Sequence, residues 1–292
     1  MTFLKALTYV VLGLVSLHIA YAVAHYVVNN ASFEPVYAEN FEGSDFSKNS
    51  RVTMEVCCDH SMELTAPEGE TGTAVKFRLQ SDDSLIKNSK RSEYRLPAGH
   101  FGEEVWYRLR TYLPESWEDT EAAITVFQWH GVPDKLLFEG NRPPPTRLLF
   151  KDGDWYIPLG WDTRLLSNPW FELFGERRGT ILWSAPAPRG AWEDWVFRIT
   201  WATDDTGRMT VWRNGEKIAD HDGPNTYRDL SAPYLKLGVY VPSWKTQPPD
   251  DVAVREMYFD DVWEVYPNKA DTLPDDVKAL IEAYRAKEAS SG

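Results

Sequence analysis

The sequence of 292 residues contains only two cysteines, Cys57 and Cys58, and the two are adjacent. Neighbouring cysteines can bond to each other only through a strained ring. The sequence therefore predicts no disulfide framework. We interpret both residues as packing side chains or free thiols rather than as redox groups or metal ligands.

Motifs of several enzyme classes are missing as well. The absence of G-x-S-x-G argues against an α/β-hydrolase, and the chain has neither a P-loop nor a dinucleotide-binding glycine motif. It has no H-E-x-x-H and no paired C-x-x-C that would hold zinc. Retaining glycoside hydrolysis needs two carboxylates about 5 Å apart. No E-x-D-x-x-E strand supplies such a pair, which leaves Glu93 and Glu103 as weak candidates.

Basic residues are outnumbered, with 31 Lys and Arg against 44 Asp and Glu and a formal net charge of −13. A chain of this charge repels polyanions, so we expect no nucleic-acid partner, although a local cationic cleft is still compatible with it. Aromatic residues, in contrast, make up 14% of the chain and include 13 Trp. Such a content fits wide β-sheets and surfaces that stack against sugars.

Residues 1–30 differ from the rest of the chain. Lys5 precedes a run from residue 6 to 28 that has no formal charge. Such a run is typical of a signal peptide, for which Ala22-Val23-Ala24 offers a cleavage site, or of a retained membrane anchor. Both interpretations predict an exported protein, periplasmic or secreted, and the second adds a membrane tether through the N-terminus.

Residues 31–267 predict one all-β domain. Short strands follow one another between turn signals without a long helical period, which favours a β-jelly roll, a concanavalin-like sandwich. Asn214-Gly215 predicts a tight hairpin turn because both residues tolerate positive φ, whereas Pro143-Pro144-Pro145 predicts a loop. Residues 268–292 predict a short amphipathic C-terminal helix that begins with acidic residues in its first turn.

The stretch from Tyr234 to Val241 predicts a strand with two unlike faces. Aliphatic residues alternate with Tyr234, Lys236, Gly238 and Tyr240, so one face is suited to a core while the other presents a cation and a phenol. We interpret Gly238 as leaving room for something to approach this face.

Two further strands carry polar side chains at the same spacing. Gln128 and His130 lie two residues apart, and we assign Ile124 and Val126 to the same strand face. Arg91 begins a third alternating stretch. If these strands are neighbours, a general base, a general acid and groups that hold an anion converge on one surface.

A series of short motifs resembles a known family. The series comprises Phe41-Glu42-Gly43, Arg91-Ser92-Glu93, Gly102-Glu103 to Tyr107, Leu113-Pro114-x-x-Trp117, Gln128-Trp129-His130, Pro143-Pro144-Pro145, Gly190-x-Trp192, Trp212-x-Asn214-Gly215 and Tyr234-x-Lys236-x-Gly238-x-Tyr240. In this order and spacing the motifs resemble the polysaccharide lyases related to heparin lyase I and glucuronan lyase. The resemblance extends over roughly residues 38–266.

The resemblance implies a β-jelly roll whose concave sheet holds an acidic polysaccharide and cleaves it by β-elimination at a uronic acid. His130 resembles the base that takes the C5 proton, and Tyr240 resembles the acid that protonates the leaving oxygen at C4. Substrate binding is assigned in the same way to Arg91, Gln128 and Lys236. Arg147, after the proline loop, is a further candidate cation.

Several alternatives stay open. A non-catalytic, lectin-like sandwich and a glycoside hydrolase on a similar fold are the rival functions, and the polymer is glucuronan-, alginate- or glycosaminoglycan-like. Some relatives hold a structural calcium ion, for which Asp229, Asp260 and Asp261 are candidates. No EF-hand spacing supports such a site, so no metal or cofactor is assigned. We expect a monomer.

Overall fold

The computed structural model describes residues 2–31, 33–43, 46–134, 139–164, 166–168, 171–173 and 175–291. Helix α1 (Thr2–Ala31) precedes the β-rich body, and helix α2 (Asp275–Ser291) follows it. Among the described residues, neither helix combines the length and the apolar character needed to cross a bilayer. Export therefore stays a prediction.

The body consists of short strands and a few 3₁₀ turns, at Phe46–Lys48, Asp59–Ser61 and Pro242–Lys245. The strands are β1 (Val36–Glu39), β2 (Thr53–Glu55), β3 (Met62–Thr65), β4 (Ala74–Gln80), β5 (Arg91–Arg95), β6 (Glu104–Tyr112), β7 (Ile124–His130), β8 (Thr146–Lys151), β9 (Asp154–Asp162), β10 (Leu166–Asn168), β11 (Phe171–Leu173), β12 (Arg177–Pro186), β13 (Trp192–Thr200), β14 (Arg208–Arg213), β15 (Glu216–Asp222), β16 (Tyr234–Tyr240) and β17 (Val254–Val265).

Two antiparallel sheets form a sandwich. One sheet has seven strands in the order β12-β9-β8-β7-β16-β5-β2, and we call it the site sheet. The other has eight strands in the order β15-β14-β13-β6-β17-β4-β3, with β1 paired to β17. The predicted all-β sandwich with a short C-terminal helix is confirmed, and the arrangement of the sheets fits a jelly roll.

The core between the sheets is built from the inward-facing residues, which alternate with outward-facing ones along the strands. It contains large aromatic side chains such as Trp129, Trp155 and Trp195, which are completely buried. Each buried large apolar side chain stabilises the fold by about 1.5–3 kcal/mol. The predicted turn at Asn214-Gly215 is confirmed by φ values of 50° and 80° between β14 and β15.

Helix α2 packs against the outer face of the eight-stranded sheet. Val277, Ile281 and Tyr284 contact a second cluster in which the indoles of Trp106 and Trp212 stack at 5.7 Å. The helical spacing of these apolar residues predicted an amphipathic helix, and the sheet supplies the surface that covers its apolar face.

Two irregularities shape the middle of the site sheet. Thr125 pairs with Leu149 and Phe127 with Leu148, so Val126 is an extra residue in β7. Because Val126 and Phe127 both point into the core, Thr125 rather than Val126 shares the outer face with Gln128 and His130. The assignment of Ile124 and Val126 to that face is therefore wrong.

The second irregularity is in β16. Gly238 has φ of 140°, and a Cβ atom there would lie 2.1 Å from the carbonyl oxygen of Ser92. The group that approaches Gly238 is therefore the backbone of β5 and not a ligand, which corrects the interpretation of this glycine.

The two cysteines differ from the prediction. Cys57 and Cys58 are joined by a disulfide bond, and the structure contains no free cysteine. The interpretation of both residues as packing side chains or free thiols is therefore wrong. Adjacency alone suggested that the bond would be unfavourable, but the two residues form it in the irregular segment between β2 and the 3₁₀ turn Asp59–Ser61.

We predict that Gly238→Ala lowers the free energy of unfolding by roughly 3 kcal/mol or more, because it combines backbone strain with a clash against β5. Denaturant unfolding of the purified variant measures the loss. Gly223→Ala is the matched control, since Gly223 has φ of 112° but open space around its Cα. Equal losses in both variants would show that the approach of β5 is not the constraint.

Candidate active site

A cleft of about 270 Å³ lies on the outer face of the site sheet, over β5, β16, β7 and β8. These four strands are consecutive neighbours, so residues far apart in sequence meet on one surface. Its lining includes five of the six residues that the sequence predicted for the site: Arg91, Gln128, His130, Arg147 and Tyr240.

The imidazole of His130 is held in one tautomer. Its Nδ1 donates a hydrogen bond of 2.7 Å to the carbonyl oxygen of Gly131, which leaves Nε2 as the unprotonated nitrogen. Burial, together with the charges of Lys236 and Arg91, lowers the pKa of His130 below its ordinary value of 6.5. The ring of Tyr234 stacks against the imidazole at 5.4 Å. The imidazole of His130 is thus neutral and oriented at neutral pH, with Nε2 able to accept a proton.

Tyr240 lies at the other end of the cleft floor. In the ladder between β7 and β16, His130 pairs with Tyr234 while Thr125 pairs with Tyr240. Arg91 connects the two ends, because its guanidinium stacks over the Tyr240 ring at 4.5 Å and its charge also acts on His130. A substrate that lies over Arg91 can therefore face both the imidazole and the phenol.

Gln128 lies between these ends and is 1% exposed. Its Nε2 donates a hydrogen bond of 2.7 Å to Glu93, which fixes the side chain. Its Oε1 has no hydrogen-bond partner among the described residues. A buried amide oxygen without a partner is costly, so this atom is suited to accept a hydrogen bond from a ligand in the cleft.

Among the arginines that line the cleft, Arg147 is the one without an ion pair in the described part of the chain. Its Nε is buried, and no hydrogen bond or ion pair joins its guanidinium to another residue in the described part of the chain. Burial lowers the pKa of Arg147, and only the phenols of Tyr227 and Tyr240 oppose this effect. A charged guanidinium in a desolvated position without an acidic partner favours the binding of an anion.

Lys236 lies on the predicted face of β16, beside Gln128, but it is not open to a substrate. It is 1% exposed and lies beneath the cleft, where its Nζ is 2.7 Å from Glu55 and 2.8 Å from Glu93. A side chain enclosed in this way does not reach a polysaccharide. Direct substrate binding by Lys236 is therefore replaced by a structural role under the cleft floor.

Glu55 and Glu93 organise the cations around Lys236. Glu55 also accepts hydrogen bonds from Lys87 and Arg91, and Glu93 accepts from Arg91 and Gln128. Burial alone would raise the pKa of Glu55, but the charges and hydrogen bonds of Lys236 and Lys87 lower it to about 2. Removing one member of a buried network like this costs about 3–5 kcal/mol.

Sequence reasoning missed three contributors to the site. Glu55 lies in the three-residue strand β2, which is too short to show a pattern. Tyr234 was named only as part of an alternation, although it stacks on His130. Arg142 belongs to a loop, so no periodic pattern could predict its place in the site. It lines the cleft, and its guanidinium lies 2.8 Å from Asp229.

The candidate calcium ligands do not form one site. Asp260 and Asp261 are paired with Arg110 and Arg108 on the eight-stranded sheet. Asp229 instead lies in a cluster of three carboxylates whose oxygen atoms are within 4.8 Å of one another, together with Asp134 and Glu139. Oxygen atoms of this kind suit a hard cation. In this structure, however, the guanidinium of Arg142 binds Glu139 and Asp229.

The lining of the cleft is free of acids. None of its described residues is a carboxylic acid, whereas three are arginines: Arg91, Arg142 and Arg147. The chain as a whole carries 13 more acidic than basic side chains. The surface is therefore cationic within an acidic protein, which suits an anionic ligand and a steered approach.

A family model described as "Polysaccharide lyase" matches residues 41–263, and thus most of the chain. The chain belongs to the polysaccharide lyase family. The resemblance seen in the sequence is thereby confirmed. No curated protein sequence matches this lyase.

Solved structures are similar to this lyase in fold. An endo-β-1,4-glucuronan lyase from the fungus Trichoderma reesei has a TM-score of 0.61 and 19% identity, and the match covers 78% of this chain and 94% of that one. The family 7 alginate lyase A1-II′ in complex with a substrate has a TM-score of 0.50 and 15% identity, with 81% and 100% covered. At these identities the likeness establishes the sandwich fold.

We predict that Glu55→Gln lowers the free energy of unfolding at neutral pH and that this difference from wild type disappears in acid. Because the pKa of Glu55 is lowered from 4.5 to about 2, its ionisation stabilises the fold above pH 4.5, and this contribution disappears as the pH falls from 4.5 towards 2. Denaturant unfolding of wild type and variant at several pH values measures the difference. Glu121→Gln at an exposed position is the control. A wild-type advantage that stays constant down to pH 2 would contradict the buried network.

Proposed function

We propose that this lyase cleaves a uronic-acid polysaccharide by β-elimination in the cleft over β5, β16, β7 and β8. The lining of the cleft carries the proposal, because it combines an imidazole with a free Nε2, a phenol and unpaired Arg147 without any acid among its described residues. Such a surface supports both the binding of a carboxylate and the transfer of a proton beside it.

In the proposed reaction, Nε2 of His130 takes the proton from C5 of the uronate. The electron pair of the C5–H bond forms a double bond between C4 and C5, and the C4–O bond breaks. Tyr240 donates its hydroxyl proton to the leaving oxygen. The products are a reducing end and an unsaturated uronate, and no water is added.

The C5 proton becomes acidic only when the adjacent carboxylate is neutralised. Arg147 supplies an unpaired positive charge for this carboxylate, and Gln128 and Arg91 supply hydrogen-bonding groups nearby. Glu93 keeps Gln128 and Arg91 in place from below. The negative charge that develops at the carboxylate during proton removal is stabilised by these preorganised groups.

The same geometry weighs against both rival functions. A retaining glycoside hydrolase needs two carboxylates that face the substrate, but Glu55 and Glu93 are buried and bound to Lys236. A non-catalytic binding module needs cations and aromatic platforms but has no use for an imidazole held with Nε2 free. His130 therefore favours the enzyme.

We assign the substrate as a polyuronate of the glucuronan, alginate or glycosaminoglycan type. Two of the fold neighbours are a glucuronan lyase and an alginate lyase, and each of the three polymer types carries the carboxylate that the reaction requires. Polymers of this kind lie outside the cell, so we further propose that residues 1–30 direct export, either as a cleaved signal or as a tether. We also propose that the enzyme acts as a monomer.

We predict that wild-type protein produces ultraviolet-absorbing product from at least one of glucuronan, alginate, hyaluronan and heparin. His130→Ala should lower turnover by about 10²-fold or more, because it removes the general base, and Tyr240→Phe should do the same by removing the acid. Initial rates of absorbance increase measure both effects. Circular dichroism and thermal unfolding show whether each variant is folded.

Tyr234→Phe is the matched control for Tyr240→Phe. It removes a phenol hydroxyl but keeps the ring that stacks on His130, so we expect turnover within about threefold of wild type. If Tyr234→Phe is the damaging substitution and Tyr240→Phe is not, the assignment of the acid is wrong. If the folded His130→Ala variant turned over substrate at the wild-type rate, the assignment of His130 as the base would be wrong.

We predict that the acidic limb of the pH profile of kcat/KM lies below pH 6.5. The base acts only when Nε2 is unprotonated, so activity is present above the pKa of His130 and is lost as the pH falls through it. Burial and the nearby cations lower this pKa from 6.5. Initial rates between pH 4 and 8 measure the limb, and a limb at or above pH 6.5 would contradict a desolvated imidazole as the base.

A further inference from the structure

The disulfide bond between Cys57 and Cys58 lies outside the cleft, at the edge of the site sheet. It follows the edge strand β2 and precedes the 3₁₀ turn Asp59–Ser61. Both cysteines are half-buried, so small molecules in the solvent can reach them. Neither cysteine lines the cleft, and the proposed β-elimination does not use the bond between them. Their surroundings indicate a separate chemistry.

Atoms that commonly bind metal ions surround the two sulfur atoms. One carboxylate oxygen of Asp83 and the Sγ atoms of Cys57 and Cys58 all lie within 4.8 Å of one another. The Sγ of Cys58 is 3.6 Å from Oδ1 of Asp83. His60 adds a nitrogen, since its Nε2 lies 2.9 Å from the same Oδ1. Two sulfur atoms, one nitrogen and one oxygen thus meet in one place, and zinc in proteins is bound by ligands of these types.

The carboxylate of Asp83 is fixed so that one oxygen faces the sulfur atoms. Its Oδ2 accepts a hydrogen bond of 2.9 Å from the backbone N–H of Gln80, and its carbonyl oxygen accepts one from Nζ of Lys90. Both Asp83 and Lys90 are buried. Outer contacts of this kind orient a metal ligand. The charge of Lys90 beside Asp83 also offsets part of the negative charge that two thiolates would add.

In the disulfide form, the contact between Cys58 and Asp83 gives no hydrogen bond. A sulfur atom in a disulfide bond carries no hydrogen, so the carboxylate oxygen faces it without a shared proton. After reduction, the same sulfur is a thiol or a thiolate. With Zn–S of about 2.3 Å and Zn–O of about 2.1 Å, a sulfur and an oxygen ligand of tetrahedral zinc lie roughly 3.6 Å apart. The separation of 3.6 Å between Cys58 and Asp83 matches this value.

We propose that Cys57, Cys58, His60 and Asp83 form a binding site for a thiophilic divalent cation such as Zn²⁺, and that the disulfide bond closes this site. A dithiol reductant opens it by thiol–disulfide exchange. The S–S bond takes up two electrons and two protons, and the reductant leaves as a disulfide.

The opened site can adopt the geometry of a zinc centre. Once the S–S bond is broken, the sulfur atoms of Cys57 and Cys58 are free to move to roughly 3.8 Å apart, the separation of two sulfur ligands on one zinc ion. Binding of the cation then releases the two thiol protons. The protein thus has an oxidised form with a closed site and a reduced form that holds the metal ion.

Thiol titration and cadmium binding test this proposal on the purified full-length chain. Before reduction we expect no reactive thiol, and after treatment with a phosphine reductant we expect both cysteines to react. Cd²⁺ is the probe because its bonds to thiolates give an ultraviolet charge-transfer band. Reduced protein should bind a single Cd²⁺ with this band, and Zn²⁺ should displace it. Oxidised protein should give no band, and Cd²⁺ bound by carboxylates elsewhere gives none either.

Variants distinguish the four-residue site from binding by two thiols alone. His60→Ala and Asp83→Asn should each weaken Cd²⁺ binding to reduced protein by about tenfold or more, since even the loss of an outer partner of a metal site has such an effect. Asp82→Asn is the matched control, because Asp82 is the exposed neighbour of Asp83 and does not belong to the cluster. It should bind Cd²⁺ as wild type does. The double variant Cys57→Ser/Cys58→Ser should lose the band.

Thermal unfolding gives a second measurement that does not depend on the band. The four ligands come together only in the folded chain, so Zn²⁺ should raise the melting temperature of reduced protein more than that of oxidised protein. Absence of the band in reduced protein, or an equal effect of Zn²⁺ on both forms, would overturn the proposal. Wild-type affinity for Cd²⁺ in His60→Ala and Asp83→Asn would also overturn it, because the thiols alone would then bind the ion.

Discussion

A buried lysine between two buried glutamates supports the face of the sheet on which the cleft lies. Lys236 on β16 joins Glu55 on β2 and Glu93 on β5, and each of these atoms is almost entirely removed from water. Charges at such depth are tolerated only when they are paired and hydrogen-bonded. The network therefore holds three neighbouring strands in one register. It also fixes Arg91 and Gln128, whose side chains form the floor of the cleft.

The protein separates its charges by position. No carboxylic acid is among the described residues that line the cleft, and Glu55 and Glu93 beneath it are paired with Lys236, Arg91 and Lys87. Of the three arginines that line the cleft, Arg91 and Arg142 have acidic partners, whereas Arg147 has none among the described residues. A cation desolvated before the ligand arrives interacts more strongly with the carboxylate than one in water would. This arrangement explains how a chain with a net charge of −13 can attract an acidic polymer.

Much of this site could be predicted because strands repeat with a period of two. Alternation placed β5, β7 and β16 correctly, and a neighbouring arrangement of the three brings Arg91, His130 and Tyr240 into one cleft. The burial of Lys236 could not be predicted, since it depends on Glu55 from a strand that has three residues. The extra residue at Val126 could not be predicted either, because it arises from the pairing of β7 with β8 and the sequence of β7 alone does not reveal this pairing. The bond between Cys57 and Cys58 lies in an irregular segment after β2, whose backbone path no periodic pattern reveals.

The most direct test of β-elimination is the mass of the products formed in water labelled with ¹⁸O. Elimination breaks the C4–O bond without adding water, so each cleavage should give two fragments whose masses sum to that of the substrate. The new non-reducing end should be one water lighter than a hydrolysis product and free of label. Fragments that have gained a labelled oxygen, with a combined mass one water above that of the substrate, would contradict the account and indicate hydrolysis.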